Sequence, residues 1–274
     1  MERMTVDGAD LEIEVRGTGE PVLLVHGALI ADAFAPLLAE SALTERYRLI
    51  QYHRQGYAGS SRVDRPVSIE QQTADARAVL RHVGVERAHI AGHSYGGVIA
   101  LQLALDAPEV VQSLVLLEAG LVHLVPSAEQ FFAAMGPILE SYQAGDKAAA
   151  IDGFAGGILG PDYRSTLDRV LPAGWFEQAV ADADTFFGME VSALQDWSLT
   201  QERAVRISRP VLAVLGTESA PVFVEIHELV QRWLPQAEPF VLPGATHALQ
   251  MQNPRGMAEG LAGFFARHPL PVAA

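Results

Sequence analysis

Three glycines surround one serine in the short segment that most constrains the fold of this chain. Residues 92–97 read Gly-His-Ser-Tyr-Gly-Gly, between an apolar run at residues 88–91 and an apolar segment that ends at Pro108. The first run predicts a buried strand and the second a buried helix. A tight turn between them requires glycine at positions 92 and 96 and lifts the hydroxyl of Ser94 off the edge of a sheet. The alternative is an ordinary glycine-rich helix start with Ser94 as its N-cap.

Strand and helix patterns alternate in both the first and the last part of the chain. Apolar runs predict strands, and apolar residues at helical spacing follow several of them. The strands are predicted at residues 11–15, 21–25, 47–52, 88–91, 114–117, 210–215 and 239–242. Helices are predicted before Gly84 and Pro108, at residues 221–234, and after Pro254. This alternation predicts an α/β fold with a mostly parallel, doubly wound sheet.

Residues 120–206 interrupt the alternation. Short helical pieces broken by Gly and Pro replace it, and the segment is rich in aromatic side chains. We therefore predict a core of residues 1–119 and 207–274, with residues 120–206 inserted as a helical cap. Some of its aromatic residues are candidates for the wall of an apolar pocket, although aromatics in a small helical insertion also pack together. The candidates are Trp175, Phe176, Phe186, Phe187 and Trp197.

Charge and composition exclude several kinds of function. The 274 residues carry a formal net charge of −14, which opposes binding to nucleic acid or to an anionic membrane surface. With 49% hydrophobic and 19% charged residues, the chain has ample material for a buried core. It contains no cysteine, which excludes disulfides, thiolate metal ligands and a thiol nucleophile. Because the sequence shows neither a signal-peptide pattern nor an apolar run of membrane-spanning length, a cytoplasmic location is the default expectation.

The order of three motifs resembles that of the α/β-hydrolase superfamily. The motifs are His26-Gly27 after a predicted strand, Gly92-His93-Ser94-Tyr95-Gly96-Gly97, and Pro243-Gly244-Ala245-Thr246-His247 after the last predicted strand. The resemblance implies an α/β-hydrolase fold with Ser94 as nucleophile and His247 as its general base. A neutral imidazole is able to accept the serine proton near pH 7. His26 and His93 belong to family patterns in which a histidine shapes a loop.

The acid that should orient His247 departs from the common family pattern. Many relatives carry Asp at the end of a Gly-x-x-Asp pattern after the strand predicted at residues 210–215, where this chain reads Gly216-Thr217-Glu218-Ser219. The family also uses the end of the strand that follows the nucleophile helix, and Glu118 lies there. Glu118 is therefore the first candidate and Glu218 the alternative acid. A structural carboxylate that pairs with a loop amide is the remaining interpretation of Glu118.

Backbone amides are expected to bind the oxyanion that forms during acyl transfer. In the family, one amide belongs to the residue after the nucleophile, here Tyr95, and the other to the loop after His26. Either Ala28 or Gly27 supplies this second donor. Residues 53–60 resemble the family's Asp-x-Arg-Gly-x-Gly-x-Ser loop, with His53 in place of Asp, and a loop-stabilising role is expected for them.

Taken with the resemblance, these residues imply a serine hydrolase that cleaves a carboxylic ester or lactone of a small, largely apolar substrate through an acyl-enzyme. Glu118 and the Glu218-Ser219 pair also resemble zearalenone-type lactonases. The same triad suits carbon–carbon bond hydrolysis, and the alternative outside enzymes is a receptor that binds a small ligand without turnover. No metal or organic cofactor is implied. The expected partner is a small-molecule substrate, with neither nucleic acid nor membrane, and a homodimer is compatible with the sequence but unsupported.

Overall fold

An eight-stranded sheet forms the centre of the computed structural model, which describes residues 1–6 and 8–271. The strands are β1 Glu2–Val6, β2 Ala9–Arg16, β3 Glu20–Val25, β4 Tyr47–Tyr52, β5 Ala88–His93, β6 Val111–Leu117, β7 Val211–Gly216 and β8 Ala237–Leu242. Their order across the sheet is β1-β2-β4-β3-β5-β6-β7-β8. β2 pairs antiparallel with β1 and with β4, whereas all pairs from β4 to β8 are parallel. The predicted mostly parallel sheet is therefore confirmed.

Helices cover both faces of this sheet. They are α1 Ser41–Thr44, α2 Ile69–His82, α3 Tyr95–Asp106, α4 Ala128–Gln143, α5 Lys147–Leu159, α6 Tyr163–Leu167, α7 Trp175–Thr185, α8 Val191–Asp196, α9 Gln201–Ala204, α10 Pro221–Trp233, α11 Leu249–Gln252 and α12 Pro254–Arg267. Short 3-10 helices occupy Ala35–Ala39, Pro108–Val110 and Val122–Leu124, and a π-helix occupies Phe186–Glu190. Within residues 1–6 and 8–271, none of the helices combines the length and apolarity needed to cross a bilayer.

Successive side chains of the central strands face opposite sides of the sheet, as the strand repeat requires. Leu23 and Val25 of β3 pack in an apolar cluster with α2, α3 and α10. Val22 and Leu24, from the same strand, pack in a second cluster with α1 and α12. Because both faces are covered, residues 22–25 of β3 and 211–215 of β7 are continuously apolar, which is the pattern expected of a parallel sheet.

Every helix from α4 to α9 lies between β6 and β7, in the segment predicted to form a cap. The last part of this segment packs with the core, since Trp197, Leu199 and Ala204 belong to the cluster around α3. The division into a core and a cap at residues 119/120 and 206/207 stays a prediction. Residues 7 and 272–274 of the predicted core lie outside the described residues.

Candidate active site

Ser94 occupies the turn between β5 and α3 in a strained backbone conformation. Its φ is 52°, in the left-handed region that non-glycine residues rarely adopt. Although Ser94 stands at the N-cap position of α3, its side chain makes no capping hydrogen bond. A Cβ on Gly96 would collide with the carbonyl of Val25, and one on Gly92 with the carbonyl of Gly96. Close approach of β3, β5 and α3 therefore requires both glycines and leaves the Ser94 hydroxyl free of a capping role.

Glu118 and His247 meet at the same edge of the sheet. Nδ1 of His247 lies 2.6 Å from Oε2 of Glu118, and both side chains are buried. Oε1 of Glu118 accepts hydrogen bonds from the Gly216 amide, at 2.9 Å, and from the Ser219 hydroxyl. Like Ser94, Glu118 has a positive φ, 45°. Backbone strain at two neighbouring strand ends is typical of residues held in place for a function.

The alternative acid lies away from the histidine. Glu218 is exposed, and its carboxylate accepts a hydrogen bond from the adjacent Thr217 hydroxyl at 3.3 Å. Ser219, the next residue, instead bonds to Glu118. The geometry therefore favours Glu118 over Glu218 as the partner of His247, while the catalytic roles of all these residues stay predictions.

Two rings fix the imidazole of His247. Phe223 of α10 stacks on it, with centroids 3.9 Å apart and planes at 11°. The His93 ring lies 4.8 Å away, and its Nε2 donates to the His247 carbonyl at 2.9 Å. Since Nδ1 of His247 donates to Glu118, Nε2 is left as the proton acceptor of the neutral ring.

The predicted oxyanion donors border the same space as Ser94. Ala28 and Ser94 line both cavities described below, and Tyr95 lines one of them. Gly27 approaches the nucleophile so closely that an added Cβ would lie 3.1 Å from Cβ of Ser94. The loop after β3 and the start of α3 therefore both lie beside Ser94.

Two small apolar cavities meet at Ser94, with volumes of about 30 Å³ and 70 Å³. Both are lined by Ala28, Ser94, Phe154, Ile158 and His247. The Trp175 lobe is completed by Leu29, Ile30, Ala33, His93, Ile151, Ala155, Leu159, Trp175, Ala179 and Met251. The Phe186 lobe is completed by Tyr95, Gly120, Val122, Phe131, Phe132, Met135, Phe186, Val191, Leu194 and Phe223. Apolar walls with a few polar groups beside a candidate nucleophile are typical of sites for small organic ligands.

The aromatic candidates of the cap divide into two groups. Trp175 and Phe186 line a lobe, whereas Phe176, Phe187 and Trp197 lie outside the walls of both. Phe186 and Phe187 are adjacent on the π-helix and face different directions, and only Phe186 reaches a lobe. Phe176 lies under the guanidinium of Arg164, and Phe187 packs on Tyr142. The indole N–H of Trp197 donates a hydrogen bond to Gln102 at 2.8 Å.

Sequence reasoning missed the contribution of α5 to the cavity walls. Ile151, Phe154, Ala155, Ile158 and Leu159 recur at the spacing of one helix face, and all of them line a lobe. That periodicity was a usable signal.

Among residues 1–6 and 8–271, no group of three His, Asp or Glu side chains is arranged to bind a metal ion.

The loop at residues 53–62 holds the cap against the core. Asp182 of α7 accepts a hydrogen bond from the Ala58 amide at 2.9 Å, and Thr185 donates to the Gly56 carbonyl at 2.8 Å. Ala58 has a φ of 47°, and a Cβ on Gly56 would collide with Thr185. These contacts fit the loop-stabilising role expected of this segment, and they fix one side of the cap.

His53, which stands where the family motif has Asp, is expected to make folding stability depend on pH. Its Nδ1 and Nε2 lie 3.0 Å from Glu12 and from Asp32, so both ring nitrogens donate when the ring is charged. Burial opposes that charge, but the two carboxylates outweigh it and raise the pKa of His53 above 6.5. The stabilisation is therefore complete below the unfolded-state pKa and is lost as pH rises through the folded-state pKa. When the pH is raised from 6 to 9, the urea unfolding midpoint of His53→Gln is expected to fall less than that of the wild type. Parallel curves of midpoint against pH for the two proteins would contradict this.

A family model described as the alpha/beta hydrolase fold matches residues 20–254. The chain belongs to the α/β-hydrolase family. Over 106 residues this chain is 43% identical to a protein of Azorhizobium caulinodans named as the carbamate hydrolase RutD, in a segment that covers 39% of this chain and 40% of that relative. The matched segment thus spans less than half the length of that relative.

Solved structures of other α/β hydrolases are similar over nearly the whole chain. A thermophilic esterase from Thermogutta terrifontis has a TM-score of 0.81 at 19% identity, with 98% of this chain and 100% of that chain covered. The enol-lactonase from Burkholderia xenovorans has a TM-score of 0.79 at 19% identity, with coverages of 97% and 100%. At these identities the likeness shows the shared fold.

Proposed function

We propose that this α/β hydrolase cleaves a carboxylic ester or lactone of a small, neutral, largely apolar substrate through an acyl-enzyme on Ser94. The observation that carries the proposal is the buried 2.6 Å contact between His247 Nδ1 and Glu118, beside a strained serine at the junction of two apolar lobes. A nucleophile, a base and an acid that orients the base are the groups that acyl transfer by serine requires.

The proposed reaction proceeds in two steps. Oγ of Ser94 attacks the substrate carbonyl while Nε2 of His247 takes the hydroxyl proton, and the Glu118 carboxylate stabilises the imidazolium that results. The amides of Ala28 and Tyr95 bind the oxyanion. His247 then returns the proton to the leaving alkoxide oxygen as the acyl-enzyme forms. Water, activated by the same histidine, hydrolyses the acyl-enzyme and releases the acid and free Ser94.

The composition of the lobes supports a substrate without charge. None of the described residues that line them is Lys, Arg, Asp or Glu, so a carboxylate or ammonium would be buried there without a counter-ion. The two lobes suit apolar groups on the two sides of a scissile ester bond. The two structural neighbours are named as an esterase and an enol-lactonase, and both names refer to hydrolysis of an ester bond.

Covalent labelling by a fluorophosphonate, combined with hydrolysis of p-nitrophenyl esters and an aryl lactone, tests this function. The wild type is expected to be labelled and to hydrolyse these substrates. Ser94→Ala should not be labelled, and its kcat should be lower than that of the wild type by about 10³-fold or more. p-Nitrophenyl butyrate should be preferred over the charged mono-p-nitrophenyl succinate. A wild type that is not labelled would overturn the proposal, and a stability shift with ligand but without turnover would indicate a receptor.

A further inference from the structure

The carbonyl of Gly27 accepts hydrogen bonds from two side chains, neither of which lines a lobe. Nη2 of Arg54 and Nδ1 of His26 each lie 2.8 Å from this oxygen. The described chain has no cis peptide bonds, so the Gly27 carbonyl and the Ala28 amide of the same planar peptide point in opposite directions. Fixing the carbonyl toward Arg54 therefore directs the Ala28 N–H away from Arg54, and Ala28 is the residue that borders both lobes beside Ser94.

Arg54 is itself locked in the interior. It is 1% exposed and forms an ion pair with Glu190, which is 3% exposed. Its guanidinium carbon lies 4.6 Å from the centre of the Tyr57 ring and 4.9 Å from that of Tyr95, the residue after the nucleophile. The backbone amide of Arg54 also donates to Nε2 of His26 at 3.1 Å. One residue thus contacts both sides of the space around Ser94.

Glu190 brings the cap into this network. It ends the π-helix that begins with Phe186, a wall residue of the Phe186 lobe. Its Oε2 also accepts from the Tyr57 hydroxyl at 2.6 Å. A buried ion pair of this kind is weak evidence for stability, because the cost of removing both charges from water offsets much of their attraction. A role in positioning accounts better for a charged pair at this place.

We propose that Arg54 is a positioning residue that aims the Ala28 amide at the oxyanion, and that Glu190 is the counter-ion through which the cap holds Arg54 in place. This ion pair, rather than the other contacts between cap and loop, thereby links the cap to the oxyanion hole. This inference rests on the proposed acyl transfer at Ser94. The state of His26 supports it: burial, and next the positive charge of Arg54, hold the His26 pKa well below 6.5, so that Nε2 stays an acceptor for the Arg54 amide.

The test measures the rate of fluorophosphonate labelling, together with kcat and KM for p-nitrophenyl butyrate, in Arg54→Met/Glu190→Met. Replacing both partners avoids leaving one buried charge unpaired, so this variant is expected to fold. Labelling rate and kcat should fall about 10- to 100-fold, with KM within about threefold of the wild type, because oxyanion stabilisation acts on the transition state. Thr185→Val is the matched control: it removes a different contact between cap and loop, and it should label at the wild-type rate.

A second variant keeps the inference falsifiable if the double variant does not fold. Arg54→Lys retains a positive charge beside Glu190 but lacks the planar fork that contacts Glu190 and Gly27 together, so it should lose labelling rate in the same range. Either folded variant labelling at the wild-type rate would overturn the positioning role. An equal loss in Thr185→Val would assign the effect to cap seating in general and also overturn it. A wild type that resists labelling would remove the proposed function and this inference together.

Discussion

Replacing Glu118 with Gln is expected to lower kcat by about four orders of magnitude and to leave the fold intact. One side-chain oxygen of Glu118 accepts from the Gly216 amide and the Ser219 hydroxyl, and the other faces Nδ1 of His247. A glutamine has a single oxygen, which the two fixed donors would occupy. Its NH2 would then point at Nδ1 of His247, so that the ring proton would move to Nε2. With Nε2 protonated, the neutral ring is unable to accept the hydroxyl proton of Ser94.

Glu218→Gln is the matched control for this prediction. Glu218 is exposed and accepts a hydrogen bond from Thr217 rather than from His247. The kcat of the Glu218→Gln variant for p-nitrophenyl butyrate should therefore stay within about twofold of the wild type. Circular dichroism and unfolding midpoints establish that both variants are folded. A loss confined to Glu218→Gln, or a Glu118→Gln variant within tenfold of the wild type, would show that the acid is assigned wrongly.

Between pH 6 and pH 4 the free energy of unfolding is expected to fall steeply, with His93 as one cause. Burial, and next the neighbouring His247, lower the pKa of His93 from 6.5 to about 3. In this interval the unfolded chain binds a proton at His93 and the folded chain does not, so stability is lost as pH falls. The loss is about 1.4 kcal/mol per pH unit, or about 3 kcal/mol over the interval. The depressed pKa of His26 acts in the same direction.

His93→Gln should flatten this pH dependence by about 3 kcal/mol, because the amide does not titrate and its nitrogen still reaches the His247 carbonyl. Urea unfolding at pH values from 4 to 7 measures the effect. His82→Gln, at the exposed end of α2, should give a curve parallel to that of the wild type. If the His93→Gln curve is also parallel, protonation of His93 does not limit acid stability.

Strand order made much of the site predictable from the sequence. Ser94 and Glu118 each follow a strand directly, and His247 lies in the loop after the last one. Parallel strands end at one edge of the sheet, so residues distant in sequence were expected to meet there. The edge strand β1 was missed because only Met4 and Val6 among its five residues are buried, which leaves little of the apolar pattern.

The cap was less predictable because helix packing, rather than local pattern, decides which of its side chains reach the cavities. Phe186 and Phe187 are neighbours in sequence, yet only the first lines a lobe. The ion pair of Arg54 and Glu190 joins residues 136 positions apart, on a loop and on a π-helix. Neither residue carries a signal in its own segment that points to the other.

The two sides of the cap differ in how firmly they are attached. Asp182, Thr185 and Glu190 bind α7 and the π-helix to the loop at residues 53–62, whereas α4 buries a single residue, Met135, and contributes Phe131 and Phe132 to the Phe186 lobe. Substitutions on α4 are therefore expected to change the Phe186 lobe without disturbing Ser94, Glu118 or His247. Related hydrolases under selection for new substrates should diverge first on α4, and a directed-evolution library has most to gain there.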